Sequence, residues 1–245
     1  CRQEDIDFDW ELIVIEEAEE CFGEGAVKRY GSRLRDVGCV QVKYTQLPEW
    51  IPLAEKWRMI GQQSNSFGFL LVAADCYSQP KRLAQSYTLL QEYEWVQSSL
   101  GAFYDIESGK QCIFDHALYH HQCALNMCFR TEFAAAIPES TRRRNIDGWM
   151  FQQISAHLGR QLRVGQNTAD DWMRGVDTQG MNNISNGRRS YLGIDGIPRV
   201  PFRLPTSSEP QTIDDSLPSD IATRLKSLAQ VAQKRAGFVR GGVQD

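Results

Sequence analysis

The stretch FGFLLVAADCYSQPKRL, Phe67 to Leu83, decides how the rest of the chain is read. Its mostly apolar run from Phe67 to Ala74 has the length and composition of a strand buried on both faces, and it stops on a lone acid, Asp75. Ser78-Gln79-Pro80 then breaks the extended pattern, and Leu83, Tyr87 and Leu90 recur at helical spacing behind the proline. In an open α/β sheet, ligands bind beyond the carboxyl ends of the strands. A strand that delivers a carboxylate to that edge would fix Asp75 for Mg2+ or Mn2+, hard cations that select oxygen ligands. Spacing alone leaves a second reading open, in which Asp75 caps the turn into the helix.

The residues on either side extend the α/β pattern. WELIVIEEAEE, Trp10 to Glu20, is a β-branched run ending in acids, and CVQVKY, Cys39 to Tyr44, is a second strand candidate. A short helix over Gly25 to Arg35 would make the three a βαβ unit with Glu16 and Glu17 at its carboxyl edge. Pro52 is suited to start a helix whose Leu53, Trp57 and Ile60 share one face and which ends near Gly61. Beyond Glu94, WVQSSLGAFYDIESGKQCIF reads as two strands around a Ser108-Gly109 turn, so some pairing is antiparallel. CALNMCFRTEFAAAIP is apolar and then helical up to Pro138, and Met150, Ile154 and Leu158 mark one face of a further helix. Residues 186–218, rich in Gly, Pro, Ser and Arg, read as an extended excursion. Ser219 is the expected N-cap of a last helix carrying Ile221, Leu225, Leu228 and Ala232. The expectation is one α/β domain over 1–185, with 186–245 packing on it as an extended segment and a helix.

Composition narrows the classes of function. With 245 residues, 42% of them hydrophobic, the chain can bury a sizeable core. A net charge of -4 and a pI of about 5.7 imply no global attraction to nucleic acid or to an anionic membrane. No apolar run approaches the ~20 residues of a membrane-spanning helix. The cysteines at 1, 21, 39, 76, 112, 123 and 128 are odd in number and lack paired C-x-x-C spacing, which fits a reducing, cytoplasmic setting better than a disulfide framework.

Four landmarks taken in order carry a more specific message. WELIVIEEAEE, AEKWRMIGQQSNSFGFLLVAADCYSQPKRL, CALNMCFRTEF and NIDGWMF together resemble family 2 glycosyltransferases of the GT-A fold, over roughly Glu11 to Met150. The resemblance implies a Rossmann-like, mostly parallel sheet flanked by helices, and transfer of a sugar from a nucleotide-diphosphate donor such as a UDP-sugar to an acceptor hydroxyl, with inversion. It implies that Glu16, with Glu17 beside it, contacts the nucleotide, and that Lys56 or Arg58 is the basic residue ahead of the third strand. Asp75 would be the last acid of the D-x-D metal motif, in a match that runs on through Pro80, Arg82 and Leu83. Arg130 would lie near phosphate, Trp149 against a sugar face, and Asp147 would be the catalytic base that takes the acceptor proton. The late metal or diphosphate ligand of such enzymes would fall to Asp177 or Gln179, and Arg188 and Arg189 would close over the diphosphate. Two departures stand out. Ala73 and Ala74 replace the earlier acids of the motif, which leaves dependence on Mn2+ or Mg2+ open, and the family's first strand and helix have no counterpart before Cys1, so an upstream segment is expected to be missing.

Rival readings come from the remaining chemistry. His116, His120, His121, Cys123 and Cys128 are zinc-ligand types without usual zinc spacing. The arginines of STRRRN, Ser140 to Asn145, would steer a phosphorylated or nucleic-acid acceptor toward Asp147, or merely form a solvated turn. A GT-A-like domain that has lost its acids and only binds a sugar, nucleotide or partner is the alternative to an enzyme.

Overall fold

The structure, a computed structural model, describes residues 3–17, 23–72, 76–98, 100–105, 110–115, 127–139, 146–167, 175–179, 219–224, 226, 227 and 230. For 76, 77, 98, 100–105, 110–115, 147, 166, 167 and 175–179 the description is of the backbone. The chain is a mixed α/β protein whose sheets combine parallel and antiparallel pairs, with no barrel among the described residues.

The βαβ unit forms as the apolar pattern requires. Strand β1 (Trp10–Glu17) and strand β2 (Cys39–Leu47) pair in parallel from Trp10 opposite Cys39 to Glu17 opposite Leu47, joined by helix α1 (Gly23–Arg35). Gly38 ends that crossover at φ 84°, a left-handed conformation that a side chain would strain, and the Trp10 indole N–H donates to the Val37 carbonyl beside it at 2.8 Å. Helix α2 (Leu53–Gln63) follows, and it runs through Gly61 rather than ending there. Its inward face is Ala54 and Trp57, while Leu53 turns outward. A Cβ on Gly61 would come within 2.0 Å of the Ala134 Cβ, so the helix lies against its neighbour as closely as backbone allows.

The third strand is shorter than its apolar run and pairs differently from the parallel expectation. Strand β3 (Gly68–Leu70) lies antiparallel to strand β8 (Met127–Arg130); β8 lies antiparallel to strand β5 (Trp95–Ser98); and β5 runs parallel to strand β9 (Val164–Asn167). Among the described residues no ladder joins this sheet to β1–β2. Glu11 links them instead, accepting from Ser64 Oγ at 2.8 Å, the Asn65 N–H at 3.2 Å and Ser66 Oγ at 3.1 Å just ahead of β3. A third sheet follows the order β4 (Cys76–Ser78), β10 (Gly175–Gln179), β6 (Leu100–Asp105), β7 (Lys110–Asp115). The β6–β7 hairpin is the one read around Ser108-Gly109, but the preceding WVQS residues form β5 in the other sheet.

The main core lies between α2, the β3–β8–β5–β9 sheet, a 3-10 helix (Thr131–Ala136) and helix α4 (Ile146–Leu158). Trp95 and Phe129, both fully buried, stack with ring centroids 4.8 Å apart, and Phe151 meets Trp95 edge-on. Met150 and Ile154 of α4 are buried as their spacing predicts. Helix α3 (Arg82–Glu92) buries Arg82, Ser86 and Leu90, whereas Tyr87 is outside the core and stacks on Phe8 at 4.0 Å. Residues 219–224 are helical with Ala222 buried; Ser219 is already inside the helix, and residues 186–218 lie outside the described residues.

Candidate functional site

The carboxyl edge of β1–β2 gathers the first group of expected residues. Successive strand side chains point to opposite faces, and Glu16 and Glu17 accordingly meet different helices. Glu16 accepts the Gly23 N–H through both carboxylate oxygens, at 2.9 and 3.0 Å, and the Tyr44 hydroxyl donates to it as well. A carboxylate at the start of α1 satisfies an otherwise orphaned donor and complements the helix dipole. Glu17 pairs with Lys56 on the other face, both side chains largely buried. Lys56 is therefore held at the rim by β1.

Arg58 is not. Two positions along a helix turn a side chain by about 200°, and Arg58 faces a cleft of about 390 Å³ between α2 and the 3-10 helix, lined also by Gly61, Gln62, Thr131 and Glu132. It is paired with Glu55 at 3.0 Å and lies 3.8 Å from Glu139. Arg130 is also apart from the rim. It stands opposite Gly68 in the β3–β8 ladder, donates to the Leu90 carbonyl at 3.3 Å and lies over the Phe67 ring at 5.0 Å. Those partners adjoin Ser66 and hence Glu11, which is about 20 Å along β1 from Glu17 at ~3.3 Å per residue. Of the five basic and acidic residues expected around the nucleotide, the structure unites Glu16, Glu17 and Lys56, and separates Arg58 and Arg130.

The amino edge of β1 is tied by charge rather than open to ligand. Burial pushes the Glu11 carboxyl up, but hydrogen bonds from Lys43, Ser64 and Ser66 outweigh it and leave the group below the ordinary carboxylate value. Lys43 also donates to the Gln63 carbonyl. Glu94, 5% exposed, is the strongest clamp, and no sequence pattern announced it. It receives both Arg160 guanidinium nitrogens at 2.6 and 2.8 Å and the Arg163 N–H at 2.9 Å. Those bonds, with Arg160 foremost and against the opposing effect of burial, hold its carboxyl down to about 2.

The metal candidates bear on the third sheet. Ala73, Ala74 and Asp75 lie outside the described residues, as do Arg188 and Arg189. The β4–β10 ladder nevertheless sets Asp177 opposite Cys76, the residue that follows Asp75. β10 also runs beside β6, with Asp177 next to Phe103 and Gln179 next to Asp105. Among the described residues, no group of three or more His, Cys, Asp or Glu is arranged to hold a metal. Of the zinc-type residues, His116, His120, His121 and Cys123 lie outside the described residues, while Cys128 is buried against Val96 and Leu90 with its thiol pushed up to about 12 by desolvation. A thiol so placed is an inert core group.

Asp147 is the second residue of α4, so it belongs to the first helical turn rather than to the N-cap position. The buried Ile146 before it and Met150 after it fix that turn against the core. Trp149 packs half-buried on the same core cluster.

No family model matches the chain, and no curated protein matches it. No helix among the described residues is long and apolar enough to cross a membrane.

Proposed function

We propose that this chain is a nucleotide-sugar glycosyltransferase domain of GT-A type, transferring a sugar with inversion to an acceptor hydroxyl. The observation that supports the proposal is the gathering of Glu16, Glu17 and Lys56 at the carboxyl edge of the parallel β1–β2 pair, the kind of edge at which open α/β sheets bind ligands. The β4–β10 ladder adds that the stretch carrying Asp177 pairs with the one that follows Asp75, and carboxylates are hard oxygen donors. Oxygen donors of this kind fit Mn2+ or Mg2+; Asp75 and Asp177 would hold the ion, which would neutralise charge on the diphosphate. Glu16, Glu17 and Lys56 at the β1–β2 edge are the nucleotide side of the site. Asp147 takes the proton of the acceptor hydroxyl as its oxygen bonds to the anomeric carbon; the bond from that carbon to the diphosphate oxygen breaks, and the nucleoside diphosphate leaves.

The test is a thermal-shift screen of UDP-, GDP-, dTDP- and CDP-sugars with and without Mn2+. A donor at about a hundred times its Kd stabilises by ~2.7 kcal/mol, a rise of several degrees for a chain of this size. The expected result is a shift that requires both sugar nucleotide and metal and is lost in Asp75→Asn and Asp177→Asn. The absence of a shift with any donor would refute the proposal. A second reading, a binding module without turnover, is favoured by Ala73 and Ala74 where the motif has acids and by the engagement of Glu16 with Gly23 and Tyr44. Donor binding without hydrolysis or transfer would select it.

A further inference from the structure

We infer that Trp50 is the platform on which the nucleobase of the donor stacks. Leu47, the last residue of β2, stands opposite Glu17, and Lys56 of α2 returns to the same Glu17. The intervening Pro48-Glu49-Trp50-Ile51-Pro52 therefore runs between the backbone neighbour of Glu17 and the helix whose Lys56 pairs with the Glu17 carboxylate. Leu47 is buried before it and Ala54 and Trp57 after it, and the two prolines fix their own φ angles. On this loop Trp50 is 48% exposed, and Leu53 just after it 39%. Three residues of chain keep Trp50 within about 10 Å of Leu47, the residue that ends β2 at the carboxyl edge of the ladder opposite Glu17.

An exposed indole on a loop that ends next to the Glu17–Lys56 pair suits a ligand that joins a flat ring to a phosphate. One Trp and one Leu are too small a patch for a protein partner, which needs about 800 Å² on each side. A nucleobase needs only one aromatic face, and stacking of this kind tolerates any base. The inference rests on the donor reading above and adds the residue that holds the base.

The test is calorimetric titration of the wild-type protein, Trp50→Phe, Trp50→Ala and, as an exposed-aromatic control, Tyr87→Ala, with UDP, GDP and inorganic pyrophosphate in the presence of Mn2+. Trp50→Ala is expected to weaken UDP and GDP about tenfold, equal to ~1.4 kcal/mol, and to leave pyrophosphate unchanged. Trp50→Phe should keep most of the affinity, and Tyr87→Ala all of it. Equal UDP binding by Trp50→Ala and wild type would overturn the platform while leaving the donor site intact, and so would an equal loss of pyrophosphate binding. Wild-type protein that binds none of the three would overturn the donor reading with it.

Discussion

Neutralising Glu94 removes a carboxylate whose environment strongly prefers the charged form. The group falls from an ordinary 4.5 to about 2, chiefly through the Arg160 hydrogen bonds, which corresponds to roughly 3 kcal/mol of linkage. Arg160 is half exposed, so solvent screens part of that, and about 2 kcal/mol is the expected loss of stability in Glu94→Gln at pH 7. The amide can still accept the Arg163 N–H, and Arg160 is left in water rather than buried, so no uncompensated charge is created. Because the folded value is depressed, the stabilisation is complete above the unfolded value near 4.5 and is lost as pH falls through about 2. Urea unfolding of wild type and Glu94→Gln at pH 7, 4.5, 3.5 and 2.5 measures it directly. The gap between the two should be constant above pH 5 and close progressively below 4.5. A gap that stays the same down to pH 2.5, or that is absent at pH 7, would refute the assignment of the clamp to the ionised carboxylate.

Gly61→Ala should lower stability by about 1–3 kcal/mol through overpacking against Ala134, seen as a fall in Tm of about 5 °C, and Ala134→Gly in the same chain should restore most of it. Glu16→Gln should cost about 1 kcal/mol, the range of a lost helix-start contact, read as a lower urea midpoint at unchanged slope. Asp147→Asn should reduce transfer or donor hydrolysis about a hundredfold or more while donor affinity by calorimetry holds within twofold.

The parts of the fold that were legible in the sequence are those whose signal is local. The parallel β1–α1–β2 unit follows from two β-branched runs around a short helix, and α4 from the spacing of Met150 and Ile154. Local signals failed where packing chose between neighbouring faces. Leu53 and Tyr87 have the right period for burial, but Ala54 and Ser86 occupy the inward positions. The split of WVQSSLGAFYD into strands of two sheets has no signature, since both halves alternate equally well. At the site, the acids at strand ends were legible, whereas their partners were not. Glu94 draws its bonds from residues 66 and 69 positions away, and the ladder between Cys76 and Asp177 joins segments farther apart still. Arg58 and Lys56 were equivalent as sequence; only the rotation of α2 separates a rim ammonium from a guanidinium in a cleft.

The close seat of Gly61 on Ala134 gives α2 little freedom to slide along its axis, and Lys56 is on the same helix about 7.5 Å away. Residue size at position 134 is thus a remote adjusting screw for the cation at the rim. Replacing Ala134 with glycine or serine would reset the reach of Lys56 without touching a single polar group near Glu17, which offers a handle on the Lys56–Glu17 pair from the opposite end of the helix.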